Sequence, residues 1–412
     1  MSKPQSRLGG ACAILAALLC AASVRAQTFA EALVAARRVD VGYSVKMAEV
    51  STQRLQSRQA AWAFAPSGSI TYTQKDSGSA SRGSYGVGVV QPLVSYDRYL
   101  QYKQSDPLGV LAEAAARLAE GDLTIRVYLA MADIVRNREA IRTAGVLIDS
   151  LDTQYKRAQR MRELGQGTVT EVSDFEVRLS VAQANRLSQQ NSLQAAQRNF
   201  TQITGLLPQP ATLSLDDASS APDDRPLDDL MIQVRRGEPS VVLATQKLEI
   251  ARIASKRSWA QYLPTLSAQA NRSQTIGSAA VDSSSVGITL SAPLGAATYF
   301  EQQTSSVALD QARENLRAAE QTAVASLINL HASVRSLEGE ARIRQRAVEA
   351  AHQAVEGNVK SYQGGVKSNI DVLTSYQNLA DAEAAVVNAR LSQGEVLLRL
   401  QLLLDRPLLP AN

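Results

Sequence analysis

The sequence predicts a mixed, mainly α-helical fold in which one structural plan occurs twice in tandem and each copy contributes two β-strands. Three observations support this fold class. Only 5% of the 412 residues are aromatic although 45% are hydrophobic, so the apolar residues are mostly small or aliphatic, as in long packed helices. One turn motif recurs with a separation of about 200 residues. In each copy, a proline-bracketed stretch carries the alternating pattern of β-strands.

The N-terminus has the features of a secretory signal peptide. Lys3 and Arg7 precede an unbroken apolar run over residues 11–22, and Val24 and Ala26 occupy positions −3 and −1 of a cleavage site. The apolar run is too short for a permanent membrane-spanning helix. We therefore expect residues 1–26 to be a signal peptide that is removed on export.

Cleavage at that position changes the chemistry of the mature chain. It removes three positive charges, which lowers the net charge from +4 to +1, and it removes the only two cysteines, Cys12 and Cys20. Lipid attachment at Cys20 is the alternative, but residues 17–19 lack the small residue usually found just before such a cysteine. The exported chain should therefore be held together by packing, without disulfide bonds.

The tandem duplication is visible in paired landmarks. A Gly-x5-[Asp/Glu]-Val motif begins at Gly165 and again at Gly365, and each is followed in the same register by Leu-x-x-Ala. We expect a first repeat over residues 27–205, an equatorial linker over residues 206–239 and a second repeat over residues 240–412. The linker is rich in proline and aspartate, which is typical of a solvated surface.

Each repeat contains one predicted β-hairpin, at residues 67–91 and 265–292. Residues such as Val286, Ile288 and Leu290 alternate with Gly, Thr and Ser, the pattern of a strand with one apolar face. Each stretch is long enough for two strands of about 9–11 residues, the length that crosses a bilayer when tilted. Two soluble hairpins are the alternative. The hairpins are bounded by four prolines: Pro66, Pro92, Pro264 and Pro293.

The remaining segments predict helices of two lengths. Residues 93–164 and 294–362 follow the hairpins, and in the second of these Leu and Ala recur at coiled-coil spacing. Each would span about 100 Å at 1.5 Å per residue. Turns at 165–168 and 363–369 lead into helices about half as long. Short helices also precede the hairpins, so two short helices laid end to end match one long helix.

Four strands cannot close a barrel, and open strand edges cannot face lipid because unpaired backbone groups are costly there. Three copies would supply twelve strands, enough for a barrel that stays open. Aromatic residues adjoin both hairpins and should form a girdle at one rim of the barrel, with packing between helices as the alternative. The girdle residues are Trp62, Trp259, Tyr96 and Tyr299.

The proline-strand-strand-proline-helix plan and the paired turn motifs resemble the outer membrane efflux protein (TolC) family over essentially the whole mature chain. The resemblance implies a channel-tunnel: long coiled-coil helices forming an α-barrel, continuous with a trimeric 12-stranded transmembrane β-barrel. It implies a homotrimer that contacts outer membrane lipid and docks to a periplasmic adaptor and an inner-membrane transporter. It also implies passive exit for substrates of a type I secretion or tripartite efflux system. This chain is short for the family, mainly in the linker and outer loops.

The resemblance further implies a periplasmic gate at the helix-to-helix turns. The matching residues are Thr170, Glu171, Tyr362, Lys367 and Asp371. We expect Glu171 to accept a hydrogen bond from Tyr362 and to pair with Lys367, within one chain or between neighbours. Asp371, repeated by threefold symmetry, would form a carboxylate ring that favours cations. The alternative is that Glu171 and Asp371 only stabilise helix starts.

Other classes of function find little support. His331 and His352 lack a metal-binding spacing, no phosphate-binding loop is present, and carboxylates are spread along helical faces. We therefore expect no enzyme, cofactor or metal site, and the small net charge gives no reason to expect nucleic acid. A soluble periplasmic coiled-coil adaptor or scaffold is the alternative function. Cleavage without lipidation is similar to the family branch that serves type I protein secretion, so we expect a polypeptide among the substrates.

Overall fold

The long axis of the structure is set by two very long helices. The computed structural model describes residues 28–77, 80–209, 213–215, 225–276, 281–292 and 296–405. The predicted signal peptide and Pro293 lie outside these residues. The described part confirms the mixed, mainly α fold class, with four strands in a single sheet.

The helices and strands follow one another in nearly the same order in both halves. The first half contains α1 (Phe29–Val39), α2 (Val41–Ala61), β1 (Ser67–Ser77), β2 (Ala80–Val94), α3 (Tyr96–Lys103), α4 (Ser105–Glu163) and α5 (Val169–Thr204). The second half contains α6 (Leu227–Gly237), α7 (Pro239–Ala260), β3 (Thr265–Ile276), β4 (Asp282–Ser291), α8 (Ala296–Gln363) and α9 (Asn369–Leu403).

The second long helix has about the length that the sequence predicts, whereas the first is shorter because its beginning forms a separate helix. Helix α4 has 59 residues and α8 has 68, which correspond to about 90 and 100 Å. Their hairpin partners α5 and α9 have 36 and 35 residues. Each long helix therefore needs a second helix, α2 or α7, to cover its remaining length.

Three helix boundaries differ from the sequence-based expectation. The first short helix divides at Asp40, whose extended backbone begins a new helix and whose carboxylate accepts from the Tyr43 N–H at 2.6 Å. A short helix, α3, precedes α4. It begins directly after β2, because Ser95, the residue that follows this strand, provides the N-cap of α3. Helix α6 lies inside the segment predicted as the linker, since Leu230 and Val234 on one of its faces are fully buried.

The four strands pair in the order β1-β2-β3-β4, each antiparallel to the next. The central β2–β3 pair joins the two halves of the chain. Strand β2 runs three residues past its predicted end at Gln91, so Pro92 lies inside the strand instead of bounding it. The register shifts between Pro92 and Val94, as expected where proline cannot donate to the ladder.

The buried core lies among the helices, in separate clusters along their length. The largest joins α1, α4, α5 and α9 through residues such as Phe29, Met131 and Phe200. A second packs α6 and α7 against α8 and α9 around Leu230 and Leu327. No helix within the described part of the chain is long and apolar enough to cross a membrane.

Candidate functional site

The two helix-to-helix turns have the same backbone conformation. Gly165 and Gly365 have φ values of +72° and +76°, in the left-handed region that favours glycine. In the first turn the Gln166 N–H donates to the Met161 carbonyl at 2.8 Å, and in the second the Val366 N–H donates to the Ser361 carbonyl at 2.9 Å. This pairing ends a helix and reverses the chain, so the repeated motif encodes one turn used twice.

Each turn leads into a helix through a reciprocal capping box. In the first turn, the Glu171 N–H donates to Thr168 Oγ1 at 3.2 Å and the Thr168 N–H donates to Glu171 Oε2 at 3.1 Å. In the second, the Asp371 N–H donates to Ser368 Oγ at 3.3 Å and the Ser368 N–H donates to Asp371 Oδ2 at 2.9 Å. Within one protomer, both carboxylates therefore cap the helices that follow.

Asp371 is additionally held in its charged form. Hydrogen bonds from the Ser368 hydroxyl and backbone N–H lower the pKa of Asp371 below its ordinary value, and the nearby charge of Lys367 acts in the same direction. The Ser368 Oγ–Asp371 Oδ2 distance is 2.8 Å. Asp371 also lies at a groove of about 440 Å³ between α8 and α9, lined largely by small residues such as Ala350 and Ala354.

The other predicted gate residues lie at the same end of the molecule but form no latch within one chain. The Tyr362 ring lies under the guanidinium of Arg157, which is 4.5 Å from the ring centroid and comes from α4. Thr170 and Lys367 are exposed. In the described part of this protomer, no hydrogen bond joins Tyr362 to Glu171 and no ion pair joins Lys367 to Glu171. The latch stays a prediction for contacts between protomers.

Arg157 is a neighbour that sequence reasoning missed. It lies near the C-terminal end of α4, where basic residues are common because they complement the helix dipole. Nothing in the sequence distinguishes it from the basic residues around it. Only the tertiary arrangement, which brings the ends of α4 and α8 together, places its guanidinium over the Tyr362 ring.

One face of the β-sheet, which we call the apolar face, carries large exposed apolar side chains. Paired residues share a face of a sheet, and the pairs Ile70–Val87, Tyr72–Tyr85 and Ala268–Ile288 lie on this one. Ile70 is 82% exposed and Val286 is 87% exposed. The apolar face consists of Ile70, Tyr72, Tyr85, Val87, Val89, Leu266, Ala268, Ala270, Val286, Ile288 and Leu290. A surface of this kind needs a partner or a lipid phase to cover it.

The predicted rim aromatics lie where helices meet the sheet and are also exposed. Trp62 is 74% exposed, Trp259 59% and Tyr299 53%. The rings of Trp259 and Tyr262 have centroids 6.2 Å apart, and those of Tyr96 and Tyr99 are also 6.2 Å apart. Their position beside the apolar face fits an interfacial girdle.

The described residues contain no group of three or more His, Cys, Asp or Glu side chains placed to hold a metal ion. His352 Nε2 lies 3.5 Å from Glu383 Oε1, and Glu383 also pairs with Arg142 of α4 at 2.5 Å. These contacts join α8 and α4 to α9.

Comparison with known proteins relates this chain to outer membrane exporters. The family described as outer membrane efflux protein matches residues 231–406. The chain is 24% identical over 317 residues to the "Proteases secretion protein PrtF" of Dickeya chrysanthemi, covering 73% of this chain and 68% of that protein. It is 24% identical over 308 residues to the "Alkaline protease secretion protein AprF" of Pseudomonas aeruginosa, covering 71% of this chain and 63% of that protein.

The fold is similar to that of a solved outer membrane protein. The structure of VceC from Vibrio cholerae matches with a TM-score of 0.76 at 16% identity, covering 92% of this chain and 97% of that chain. Long helices continuous with a small antiparallel sheet are therefore the shared architecture. The matched family is described as outer membrane efflux protein, and the solved structure with the similar fold is that of an outer membrane protein.

Proposed function

We propose that this chain, whose residues 231–406 match the outer membrane efflux protein family, forms a trimeric outer membrane channel-tunnel. The channel gives passive exit to substrates of a type I secretion or tripartite efflux system. Its helical end docks to a periplasmic adaptor and an inner-membrane pump. The names of the two protease secretion relatives favour polypeptides among the substrates.

The proposal rests mainly on the β-sheet, which exposes an apolar face and has two open edges. Its apolar face exposes Ile70, Val286 and Ile288, and the strands at its edges, β1 and β4, have one unpaired side each within the chain. In lipid, an unpaired strand edge costs several kcal/mol for each unsatisfied backbone group. Joining β4 of one copy to β1 of the next removes every edge once the ring closes, and three copies give a ring wide enough to conduct.

The helical end supplies the proposed gate. The turns at Gly165 and Gly365 bring Glu171, Tyr362, Lys367 and Asp371 to the same end of the molecule, far from the sheet. The latch joins Glu171 to Tyr362 and Lys367 of a neighbouring protomer, and the three copies of Asp371 surround the constriction. Exposed ion pairs contribute about 1 kcal/mol or less, so an adaptor that binds these ends has enough interaction energy to open them.

Membrane extraction and conductance test the proposal. We expect the protein to remain in the outer membrane fraction after buffer washes, to require detergent for release and to migrate as a trimer. In planar bilayers the purified trimer should conduct ions. Release by buffer as a monomer, without conductance, would instead support the soluble coiled-coil scaffold.

A matched pair of variants separates membrane insertion from general destabilisation. Ile288 lies on the apolar face and its neighbour Thr289 on the opposite face. Ile288→Asp should prevent insertion, because a charge facing the bilayer core is unfavourable and this cost is repeated in each of the three copies. Thr289→Asp should insert and conduct. Equal behaviour of the two variants would contradict a lipid-facing role for the apolar face.

A further inference from the structure

The face of the sheet opposite the apolar face is mostly polar. Between the helical end of the sheet and the level of Thr73, strand register assigns 20 residues to it, which we call the hydroxyl face: Ser67, Ser69, Thr71, Thr73, Ser84, Gly86, Gly88, Val90, Pro92, Thr265, Ser267, Gln269, Asn271, Ser273, Thr275, Ser283, Ser285, Gly287, Thr289 and Ser291. Among these positions none is charged, and Val90 and Pro92 are the two apolar side chains. The rest are hydroxyls, amides or glycine.

The hydroxyl face is continuous across the strands because β2 has glycines where neighbouring side chains cross it. A Cβ at Gly88 would lie 2.6 Å from Asn271 Oδ1 and 3.3 Å from Ser69 Oγ. A Cβ at Gly86 would lie 2.8 Å from Thr71 Oγ1. Side chains from β1 and β3 therefore extend over β2 and leave its backbone covered by polar groups.

One charged pair of these strands, Arg272 with Asp282, lies on the side of the apolar face. Arg272 is paired in register with Val87 and Ser284. Its Nη2 lies 2.7 Å from Asp282 Oδ2, and Asp282 is two residues closer to the hairpin end than Ser284. The guanidinium thus extends along the sheet away from the apolar band, as a basic side chain does at a membrane boundary.

From these placements we infer that the strand-lined part of the proposed channel is an electrically neutral conduit for hydrated, hydrogen-bonding cargo of either charge, such as an unfolded polypeptide. The inference rests on the proposed channel function, which makes the hydroxyl face the water-filled side of the wall. A wall of hydroxyls and amides exchanges hydrogen bonds with water and peptide groups. It offers no charged ring to concentrate ions of one sign and almost no apolar surface to retain hydrophobic molecules.

The neutral stretch has a defined end. Beyond Thr73 the next backbone pair in the same register is Lys75 with Arg82, so the inference covers the wall from Ser67 to Thr73 and the levels paired with them. Any preference of the whole channel for one sign of charge must then arise outside this stretch, at the hairpin end or in the helical part.

Cysteine reactivity along β4 tests the inference in the assembled trimer. Three single variants cover consecutive residues: Ser285→Cys, Val286→Cys and Gly287→Cys. Ser285 and Gly287 belong to the hydroxyl face and Val286 to the apolar face, and a side chain at Gly287 meets no atom within 4 Å. The native cysteines lie in the predicted signal peptide, so each mature variant should carry one thiol.

Each variant is treated in planar bilayers with a cationic and an anionic methanethiosulfonate of similar size. We expect both reagents to modify Ser285→Cys and Gly287→Cys and to change conductance, and neither to modify Val286→Cys. After normalisation to a free thiol in solution, the cationic and anionic rates should agree within about threefold. A ratio beyond about tenfold in either direction would show a charged wall and overturn the inference.

The outcomes separate this inference from the proposed function. Reaction at Val286→Cys without reaction at its two neighbours would overturn the assignment of the faces. Conducting trimers with a strongly unequal rate ratio would overturn neutrality alone. A parent protein that forms no conducting trimer would overturn the channel function itself.

Discussion

Arg126 and Asp40 form a two-pronged ion pair that fixes α4 against the junction of α1 and α2. Arg126 Nη1 lies 2.8 Å from Asp40 Oδ2, and Nη2 lies 2.9 Å from Oδ1. Asp40 is only 5% exposed and also caps α2 through the Tyr43 N–H. One carboxylate therefore determines both where the first helix ends and how the second lies on the long helix.

Replacing Asp40 should destabilise the protein more than replacing an exposed carboxylate. Asp40→Ala removes a helix cap and leaves Arg126 without its partner, and we expect a loss of about 2 kcal/mol. Asp310→Asn, which affects an exposed pair with Arg313 on α8, should change stability by less than about 0.5 kcal/mol. Thermal unfolding followed by circular dichroism in detergent measures both, and equal losses would contradict the role of Asp40.

The stability that the Asp40–Arg126 ion pair contributes should also depend on pH. Burial raises the pKa of Asp40, but hydrogen bonds from Arg126 and the N–H groups of Tyr43 and Gly42, with the Arg126 charge, outweigh burial and lower it below the ordinary 3.8. A lowered pKa in the fold stabilises the protein above the ordinary value, and that contribution is lost as pH falls through the folded value. The stability difference between the parent and Asp40→Asn should therefore narrow below about pH 4.

Gly394 and Tyr128 should be energetically coupled. The Tyr128 hydroxyl donates to the Leu391 carbonyl at 2.7 Å, and burial, with the nearby Glu395 charge, raises its pKa to about 12. A Cβ at Gly394 would overlap Tyr128 Oη and lie 3.2 Å from its Cζ. Gly394→Ala should cost about 2 kcal/mol through overpacking, and Tyr128→Phe should relieve part of that cost in the double variant.

A control for this coupling is available on α8. Gly357 is helical, and a methyl group added there would meet no neighbouring atom within 4 Å. Gly357→Ala should therefore stabilise the protein by about 0.5–1 kcal/mol, since alanine lowers the entropy cost of forming a helix. Urea unfolding of the four variants gives the coupling, and additive losses for Gly394→Ala and Tyr128→Phe would exclude it.

The proposed latch predicts a change in conductance. Replacing Tyr362 and Lys367 together by alanine should raise single-channel conductance, because the end of α8 and the turn after it would lose their contacts across the protomer boundary. Lys360→Ala, an exposed change on the same helix, should leave conductance unchanged. If the double variant conducts like the parent, these two residues do not hold the gate.

The two roles proposed for Asp371 can be separated by pH. Because Ser368 lowers the pKa of Asp371, a carboxylate ring should remain charged to lower pH than an ordinary aspartate, and cation selectivity should be lost only as pH falls through that lowered value. Ser368→Ala removes hydroxyl hydrogen bonds and should move this loss to higher pH. Reversal potentials in a salt gradient measure the shift. A pH profile that is the same in both proteins would indicate that Asp371 only caps its helix.

The sequence was most informative where local backbone chemistry repeats. Gly165 and Gly365 were recognisable because a helix reversal with positive φ favours glycine, and Thr168-x-x-Glu171 and Ser368-x-x-Asp371 contain the residues of a capping box. Alternation along residues such as Val286 and Ile288 predicted strands because successive side chains lie on opposite faces.

Features that depend on how helices rotate against one another could not be predicted. The Asp40–Arg126 pair and the contact between Arg157 and Tyr362 join residues far apart in the chain, and many other basic residues would fit the same local pattern. Helix α6 was missed because its short apolar face, with Leu230 and Val234, follows a segment rich in proline and aspartate. The order of the strands, with β2 beside β3, also depends on tertiary packing.

The pairing of β2 with β3 makes each subunit's sheet a single arc that ends in two different strands, β1 and β4. In the proposed ring, every copy must then bond to both of its neighbours, and no copy can be bypassed. A subunit with a defective β1 or β4 would still join an assembly through its intact edge strand, and the barrel would then remain open. Loss-of-function alleles at these strands should therefore act dominantly when expressed beside the normal gene.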